Sequence, residues 1–367
     1  MSKSNLTFYQ TGDDLREALR LTEEEVRKIN EIIAEYPMFT NSYYLGLIDP
    51  DDPEDPIRKM SIPSPWEQEQ GGQADTSGEG DNTVLPGLQH KYQQTALILS
   101  TNVCAMYCRH CFRKRLVGLS NAELNKQVDE AAAYVRAHPE ITNVLISGGD
   151  SLMNPNAIIG RYLAEFCEIP TLDLIRFGSR VPVTFPQRIY EDQELLDLFA
   201  AYARRKPIYL ITQFNHPREI TPESIRAVRE FQARGVQVRN QTVLLRGVND
   251  DSETLGTLLL ALTRIEVVPY YIFQCRPVTG VKGRFQVPLR EGVRLVDDAK
   301  AMQNGIGKGV RYAMSHPRGK IEILGEPEAG TMLFKFHQNK EEADSARIFT
   351  ARITDSTTWL DDKLEAI

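Results

Sequence analysis

The sequence predicts an α/β fold: a partial (β/α)6 TIM-like barrel with a helical N-terminal extension and a C-terminal β-hairpin extension. Three observations predict it. Six short β-rich runs, "TALILST", "TNVLISGG", "LDLIRFGS", "PIYLITQF", "VQVRNQTVLL" and "VPYYIFQC", recur between residues 95 and 275. Helix-like segments separate them: "LNKQVDEAAAYVRAH", "NAIIGRYLAEF", "DQELLDLFAAYARR", "PESIRAVREFQARG" and "DSETLGTLLLALTRI". Strand and helix in alternation mean parallel strands joined by right-handed crossovers. An unusual polar group also follows each run: a cysteine cluster, "SGGDS", "GSRVPV", "FNHP", "NQT…LRGVND" and "QCRP". Parallel barrels build active sites at that one end, and six units fall short of the eight that close a barrel.

In chain order, residues 1–90 form the first extension. Apolar residues at helical spacing (Leu15, Leu19, Val26, Ile29, Ile32, Ile33) predict helices over 13–36. "DPDDPEDPIRKMSIPSP" is punctuated by proline, which excludes long regular structure. "EQEQGGQADTSGEGDN", residues 67–82, is polar, glycine-rich and free of aromatics, and predicts a mobile loop. The barrel takes residues 91–305. Residues 306–367 form the last extension, where "KIEILG" and "TMLFKFHQ", separated by "EPEAG", predict a hairpin.

Composition narrows the function. The chain has 367 residues, 41% hydrophobic and 25% charged, an ordinary globular balance. No apolar run approaches the roughly 20 residues of a membrane span, and the start has no apolar signal core. A formal net charge of −7 excludes a general nucleic-acid binder. Of five cysteines, Cys167 and Cys275 lie in apolar stretches and read as buried thiols, which places the chain in a reducing cytoplasm.

The other three stand in "CAMYCRHCFRKR", residues 104–115, at C-x3-C-x2-C spacing. A structural zinc site wants four ligands and a disulfide framework an even count. Three thiolates can instead hold three irons of a [4Fe–4S] cluster and leave the fourth open to a small molecule. A zinc knuckle completed by His110 or a distant residue is the alternative. "SGGD", residues 147–150, lets backbone approach a ligand, with Asp150 free to pair an ammonium; a tight strand-to-helix turn is the bland reading. Arg180, Gln187, His216, Asn240 and Gln241 are polar residues at strand ends and together suggest one pocket. Arg113, Lys114 and Arg115 alone read as a solvated or phosphate-binding patch.

These motifs resemble those of radical S-adenosylmethionine (SAM) enzymes, and more closely the lysine 2,3-aminomutase family. "YYLGLIDPDDPEDPIRKMSIP", "VLPGLQHKY", "CAMYCRHCFRKR", "LISGGDSL", "GSRVPVTFPQRI", "FNHPREIT", "NQTVLLRGVND" and "PYYIFQC" stand in that family's order, from about residue 40 to 290. The resemblance implies a partial barrel of radical SAM type, with a [4Fe–4S] cluster on Cys104, Cys108 and Cys111. SAM would bind the open iron and yield a 5′-deoxyadenosyl radical that abstracts hydrogen from substrate. Ser147, Gly148, Gly149, Asp150, Arg180, Gln187, His216, Asn240 and Gln241 would surround SAM. Arg113 would bind the substrate carboxylate, a task suited to its fork.

The family also holds pyridoxal 5′-phosphate (PLP) on a lysine in a "PGGGGK" segment. Lys320 keeps that place in "SHPRGKIEILG", without the glycine run; the bland reading is a surface lysine opening a strand. Lys91 stands where the family has a phosphate-binding arginine, and Thr95 replaces a second one four residues on. Lysine-specific members place an aspartate where this chain has Arg276. Their other aspartate falls between Ala313 and Ser315, neither acidic. The resemblance therefore implies an amino-acid 2,3-aminomutase acting on glutamate or another acidic amino acid rather than free lysine. Its partners would be that small molecule and an electron donor such as flavodoxin or ferredoxin, and a homo-oligomer is compatible with it. Two alternatives stay open: a PLP-independent radical SAM enzyme that modifies a protein residue, and a zinc-stabilised binding module that uses residues 113–115.

Overall fold

The computed structural model describes residues 6–69, 71–119 and 121–367. Two short strands, β1 (Phe8–Tyr9) and β2 (Thr40–Asn41), pair antiparallel in the N-terminal extension. Between them lies helix α1 (Glu23–Ile33), which buries Val26, Ile29 and Ile32. Thr22 starts it through a capping box with Glu25, each side chain satisfying an orphan backbone N–H of the other.

The main sheet begins with β3 (Thr83–Leu85), β4 (Leu88–Tyr92) and β5 (Thr95–Thr101), paired antiparallel. From β5 the strands run parallel: β6 (Asn143–Gly148), β7 (Leu174–Gly178), β8 (Ile208–Thr212), β9 (Gln237–Leu244) and β10 (Val268–Gln274). Helices α2 (Val128–Ala137), α3 (Asn156–Cys167), α4 (Gln193–Ala203), α5 (Pro222–Gln232) and α6 (Ser252–Arg264) are the crossovers. All six predicted strands are present. After helix α7 (Leu289–Ala301), a further strand, β11 (Arg311–His316), joins β10 in parallel. The alternation thus continues one unit beyond the predicted six. Strands β12 (Gly319–Glu328) and β13 (Thr331–Asn339) form the predicted hairpin, and β14 (Ile348–Arg352) pairs with β13.

The two-residue period of each strand divides core from interior. In β6, Val144 and Ile146 are wholly buried in one hydrophobic cluster with Ala131, Val135, Ile159 and Leu163 from α2 and α3. Asn143, Leu145 and Ser147 point the other way and keep partial exposure. The same alternation in β7 and β9 turns Arg176, Arg239 and Gln241 inward. A second cluster packs α7 against the hairpin through Val296, Met314, Ile321, Phe334 and Trp359.

The sheet stays open, with β3 and β14 at its edges. Residues 72–82 cross the gap. Gln73 N donates to Pro277 O (2.9 Å), and Thr279 N donates to Gln73 O (3.2 Å). Lys91 Nζ on β4 reaches His316 O at the end of β11 (2.6 Å). The predicted mobile loop is therefore corrected. The segment is anchored at Glu67 and Glu79, buried carboxylates held by buried cations, while residues 68–69, 71–74 and 80–81 are exposed; residue 70 lies outside the described residues. Among the described residues no helix is long and apolar enough to cross a membrane.

Candidate active site

The cysteine loop leaves the C-terminal end of β5. It is fixed from behind by Glu67, which accepts from Arg109 Nε (2.9 Å) and Lys114 Nζ (2.5 Å). Arg109 also donates to Pro37 O (2.8 Å), tying the loop to the N-terminal extension. Cys104, Cys108 and Cys111 are all free thiols. Burial pushes Cys111 up to about 11 and Cys104 well above the thiol range, and neighbouring thiols add to both shifts. Among the described residues no group of three or more His, Cys, Asp or Glu side chains is drawn together tightly enough to hold a single metal ion; the three thiols share one short loop. Arg180 Nη1 donates to Cys108 Sγ (2.7 Å), while its Nη2 pairs with Glu219 Oε1 (2.5 Å). His110 is buried and held neutral by burial, with Nε2 3.2 Å from Asn215 Nδ2 and no partner at Nδ1. Cys275 is buried and Cys167 partly so, both apart from this loop.

The "SGGD" turn packs against the start of the cysteine loop. A Cβ on Gly148, at φ +116, would meet Thr101 O at 2.3 Å, and one on Gly149 would meet Val103 O at 2.5 Å. The glycines let the two backbones touch. Asp150, expected free for an ammonium, has both oxygens occupied: Ser179 Oγ (2.6 Å) and Leu152 N (3.1 Å) on one, Arg180 N (2.7 Å) on the other. Burial raises its pKa to about 6.

The expectation that Asn240 and Gln241 share a pocket wall is also corrected. Adjacent strand residues face opposite ways, and Asn240 is wholly buried, bonded to Phe214 N (2.6 Å) and Phe214 O (3.1 Å). Gln241 faces the interior. Gln187 is buried with Oε1 unpartnered. His216 Nδ1 caps its own turn by accepting from Arg218 N (3.2 Å).

Three arginines and Glu79 line the mouth. Arg113 Nε donates to Glu79 Oε1 (2.7 Å), and its Nη1 to Ser147 Oγ (3.1 Å). Arg115 Nη2 holds the other oxygen of Glu79 (2.8 Å). Arg113 and Arg276 both lie over the Phe112 ring, 4.6 and 4.2 Å from its centroid. Arg276 also donates to Ser77 Oγ. Burial, opposed by Glu79, brings Arg276 down to about 10. Arg276 thus points inward, makes no ion pair among the described residues, and stacks on the cysteine loop.

Lys320 lies deeper, between the Tyr271 and Tyr92 rings (5.0 and 5.9 Å). Among the described residues it has no hydrogen bond or ion pair. Burial first, then Arg176 and Arg276, pull its pKa to about 7. Lys91 is likewise pulled to about 7 by burial, Arg276, Lys340 and Lys320, and donates only to carbonyls. Lys320 does open a strand, but into the interior. Sequence reasoning passed over Glu79, Phe112, Tyr271 and Arg176. A charged residue inside the apolar run "LIRFG" was the available signal for the last.

Residues 98–259 match the family model described as the radical SAM superfamily. A parallel α/β sheet with three cysteines in the loop after its first parallel strand accordingly defines a radical SAM enzyme, a class that uses a [4Fe–4S] cluster and SAM. Among curated proteins, "Putative L-lysine 2,3-aminomutase" of Aquifex aeolicus (strain VF5) is 41% identical over 96% of this chain and 95% of its own. "L-lysine 2,3-aminomutase" of Clostridium subterminale is 38% identical over 81% and 70%. "Glutamate 2,3-aminomutase" of Clostridioides difficile (strain 630) is 36% identical over 84% and 72%. The chain belongs to the lysine 2,3-aminomutase family of radical SAM enzymes.

Proposed function

We propose that the chain is a PLP-dependent 2,3-aminomutase of an amino acid with an anionic side chain. The observation that carries the reading is the group of cations about Lys320. Burial lowers the basicity of all three; Arg276 lowers that of Lys91 and Lys320 further, Lys320 that of Lys91, and Arg176 that of Lys320, and among the described residues none of Lys91, Lys320 and Arg276 is in an ion pair with a carboxylate. Buried charge without counter-charge is costly, and a dianionic phosphate with two substrate carboxylates would neutralise it. Lys320, with a pKa near neutrality, presents an unprotonated amine to an aldehyde at physiological pH.

In this reading Cys104, Cys108 and Cys111 hold the cluster. Gly148, Gly149, Asp150, Arg180, Gln187, His216 and Gln241 shape the SAM side, with Asp150 and Arg180 acting through the turn and through Cys108. Cluster and SAM supply the hydrogen-abstracting radical, which a ferredoxin- or flavodoxin-type donor in the cytoplasm would prime. PLP supplies the conjugated system that carries the unpaired electron while nitrogen moves. Arg113 orients the α-carboxylate, Arg276 the side-chain carboxylate, and Phe112 keeps water from the face between them. A protein substrate is less compatible, since residues 72–82 cross the opening beside the mouth. The test is anaerobic assay of glutamate, aspartate and lysine with isomer analysis, beside borohydride reduction and peptide mapping. Pyridoxyl on Lys320 with turnover of an acidic amino acid supports the reading. No pyridoxyl on any lysine with PLP in excess refutes it.

A further inference from the structure

The two cations that would grip the cofactor phosphate do not both survive in this sequence. One position is Lys91, and the other is the uncharged Thr95. Thr95 is buried at the start of β5 and donates to Asn143 Oδ1 (3.3 Å) on the neighbouring strand. The same Asn143 oxygen accepts from Arg176 Nη2 (2.5 Å), whose backbone lies one strand further on, in β7. A guanidinium therefore reaches back beside the threonine.

Three further observations mark this arginine. Its Nε is buried and has no hydrogen-bond partner. No carboxylate pairs with it among the described residues, and its one side-chain partner is a neutral amide. It also lowers the basicity of Lys320, as Arg276 does. Folding rarely leaves a buried N–H unbonded without a reason. Tyr92, which pairs with Thr95 across the β4–β5 turn, lies 5.9 Å from Lys320 Nζ and links the two ends of the group.

We infer that Arg176 supplies the second phosphate-binding cation, from a different strand, in place of the charge missing at Thr95. Asn143 orients the guanidinium through Nη2 and leaves Nε to meet a phosphate oxygen. Lys91 completes the clamp from β4. The inference rests on the PLP reading above, and it assigns a binding residue that neither the cysteine loop nor the hairpin contains.

The test compares two probes that differ only in the phosphate: PLP and pyridoxal. Cluster-reconstituted protein is titrated with each, and attachment to Lys320 is read by borohydride trapping and mass spectrometry. Wild type should favour PLP. Arg176→Gln, which keeps a donor for Asn143 and loses the charge, should weaken PLP by about 10- to 100-fold, the range for a hydrogen bond to a charged group. Pyridoxal shares any change in the basicity of Lys320 but not the lost phosphate contact, so its attachment should weaken clearly less than that of PLP. Arg176→Lys, a milder change, should give a smaller loss, again larger for PLP, and serves if the glutamine variant does not fold. Equal weakening of both probes, or unchanged PLP affinity, overturns the inference and leaves the PLP reading standing. Failure of wild type to attach either probe overturns both.

Discussion

Lys320 should be the lysine that reacts with aldehydes near neutral pH. Its pKa of about 7, against 10.5 for the free side chain, is a displacement of about 3.5 units. At pH 7 about half of the Lys320 amines are then unprotonated, against roughly 0.03% of ordinary lysines, an advantage of about 1,600-fold. The assay is single-turnover trapping of pyridoxal with cyanoborohydride from pH 5.5 to 10, read peptide by peptide. Labelling of Lys320 should reach half its plateau near pH 7, while ordinary exposed lysines keep rising past pH 9. Because burial outweighs the neighbouring cations, Arg276→Gln should raise the midpoint without restoring the value of a free lysine. The depression also links to stability. Between pH 7 and 10.5 the unfolded chain carries the proton that the folded chain lacks, so stability from this group rises with pH across that window and is lost as pH falls toward 7. A Lys320 profile that follows the surface lysines would refute the placement of its amine between Tyr92 and Tyr271.

Three further outcomes are expected. Cys104→Ala, Cys108→Ala or Cys111→Ala should each abolish cluster assembly and SAM cleavage, with Cys275→Ala keeping wild-type iron; iron analysis and absorbance decide, and equal iron loss in Cys275→Ala would break the three-cysteine assignment. Arg276→Asp should reduce turnover of an acidic amino acid by about 2–5 kcal/mol in kcat/KM while sparing uncoupled SAM cleavage, and equal lysine turnover by both proteins with no acidic substrate in either would remove Arg276 from the site. Glu79→Gln leaves buried Arg113 without its counter-charge, while Arg115 keeps Glu123, a loss of about 3–5 kcal/mol for a broken buried pair, visible as a lowered denaturant midpoint; a midpoint within error of wild type would show that solvent already screens the pair.

The barrel was legible because periodicity reports burial, and each predicted strand lies within two residues of an observed one. β11 was missed because "RYAMSH" is short and follows a helix that the sequence analysis did not mark. Cysteine spacing revealed the cluster site, since few other chemistries use three thiols so close. Side-chain direction was legible in principle and misread at Asn240, which the period of two separates from Gln241. The 67–82 segment shows what composition hides. Its polarity was taken as a sign of mobility, yet Glu67 and Glu79 are the anions that hold the buried cations of the cysteine loop. Ion pairs between distant segments leave no local pattern in a sequence.

The distribution of those pairs bears on the substrate. Near the loop, Glu67 answers Arg109 and Lys114, and Glu79 answers Arg113 and Arg115. Deeper in, Lys91, Arg176, Arg276 and Lys320 face one another with no acid in an ion pair with any of them among the described residues. A phosphate dianion would balance about two of these charges. An acidic side chain at Arg276 would continue the compensation, whereas a lysine side chain would add a further cation beside Arg276 in a poorly solvated interior. Like charges held close there repel by several kcal/mol. The carboxylates expected for a lysine substrate are replaced by Arg276, just after β10, and by Ala313 or Ser315 on β11, which pairs directly with β10. One local change thus explains both the unpaired charge and the expected preference for an anionic substrate.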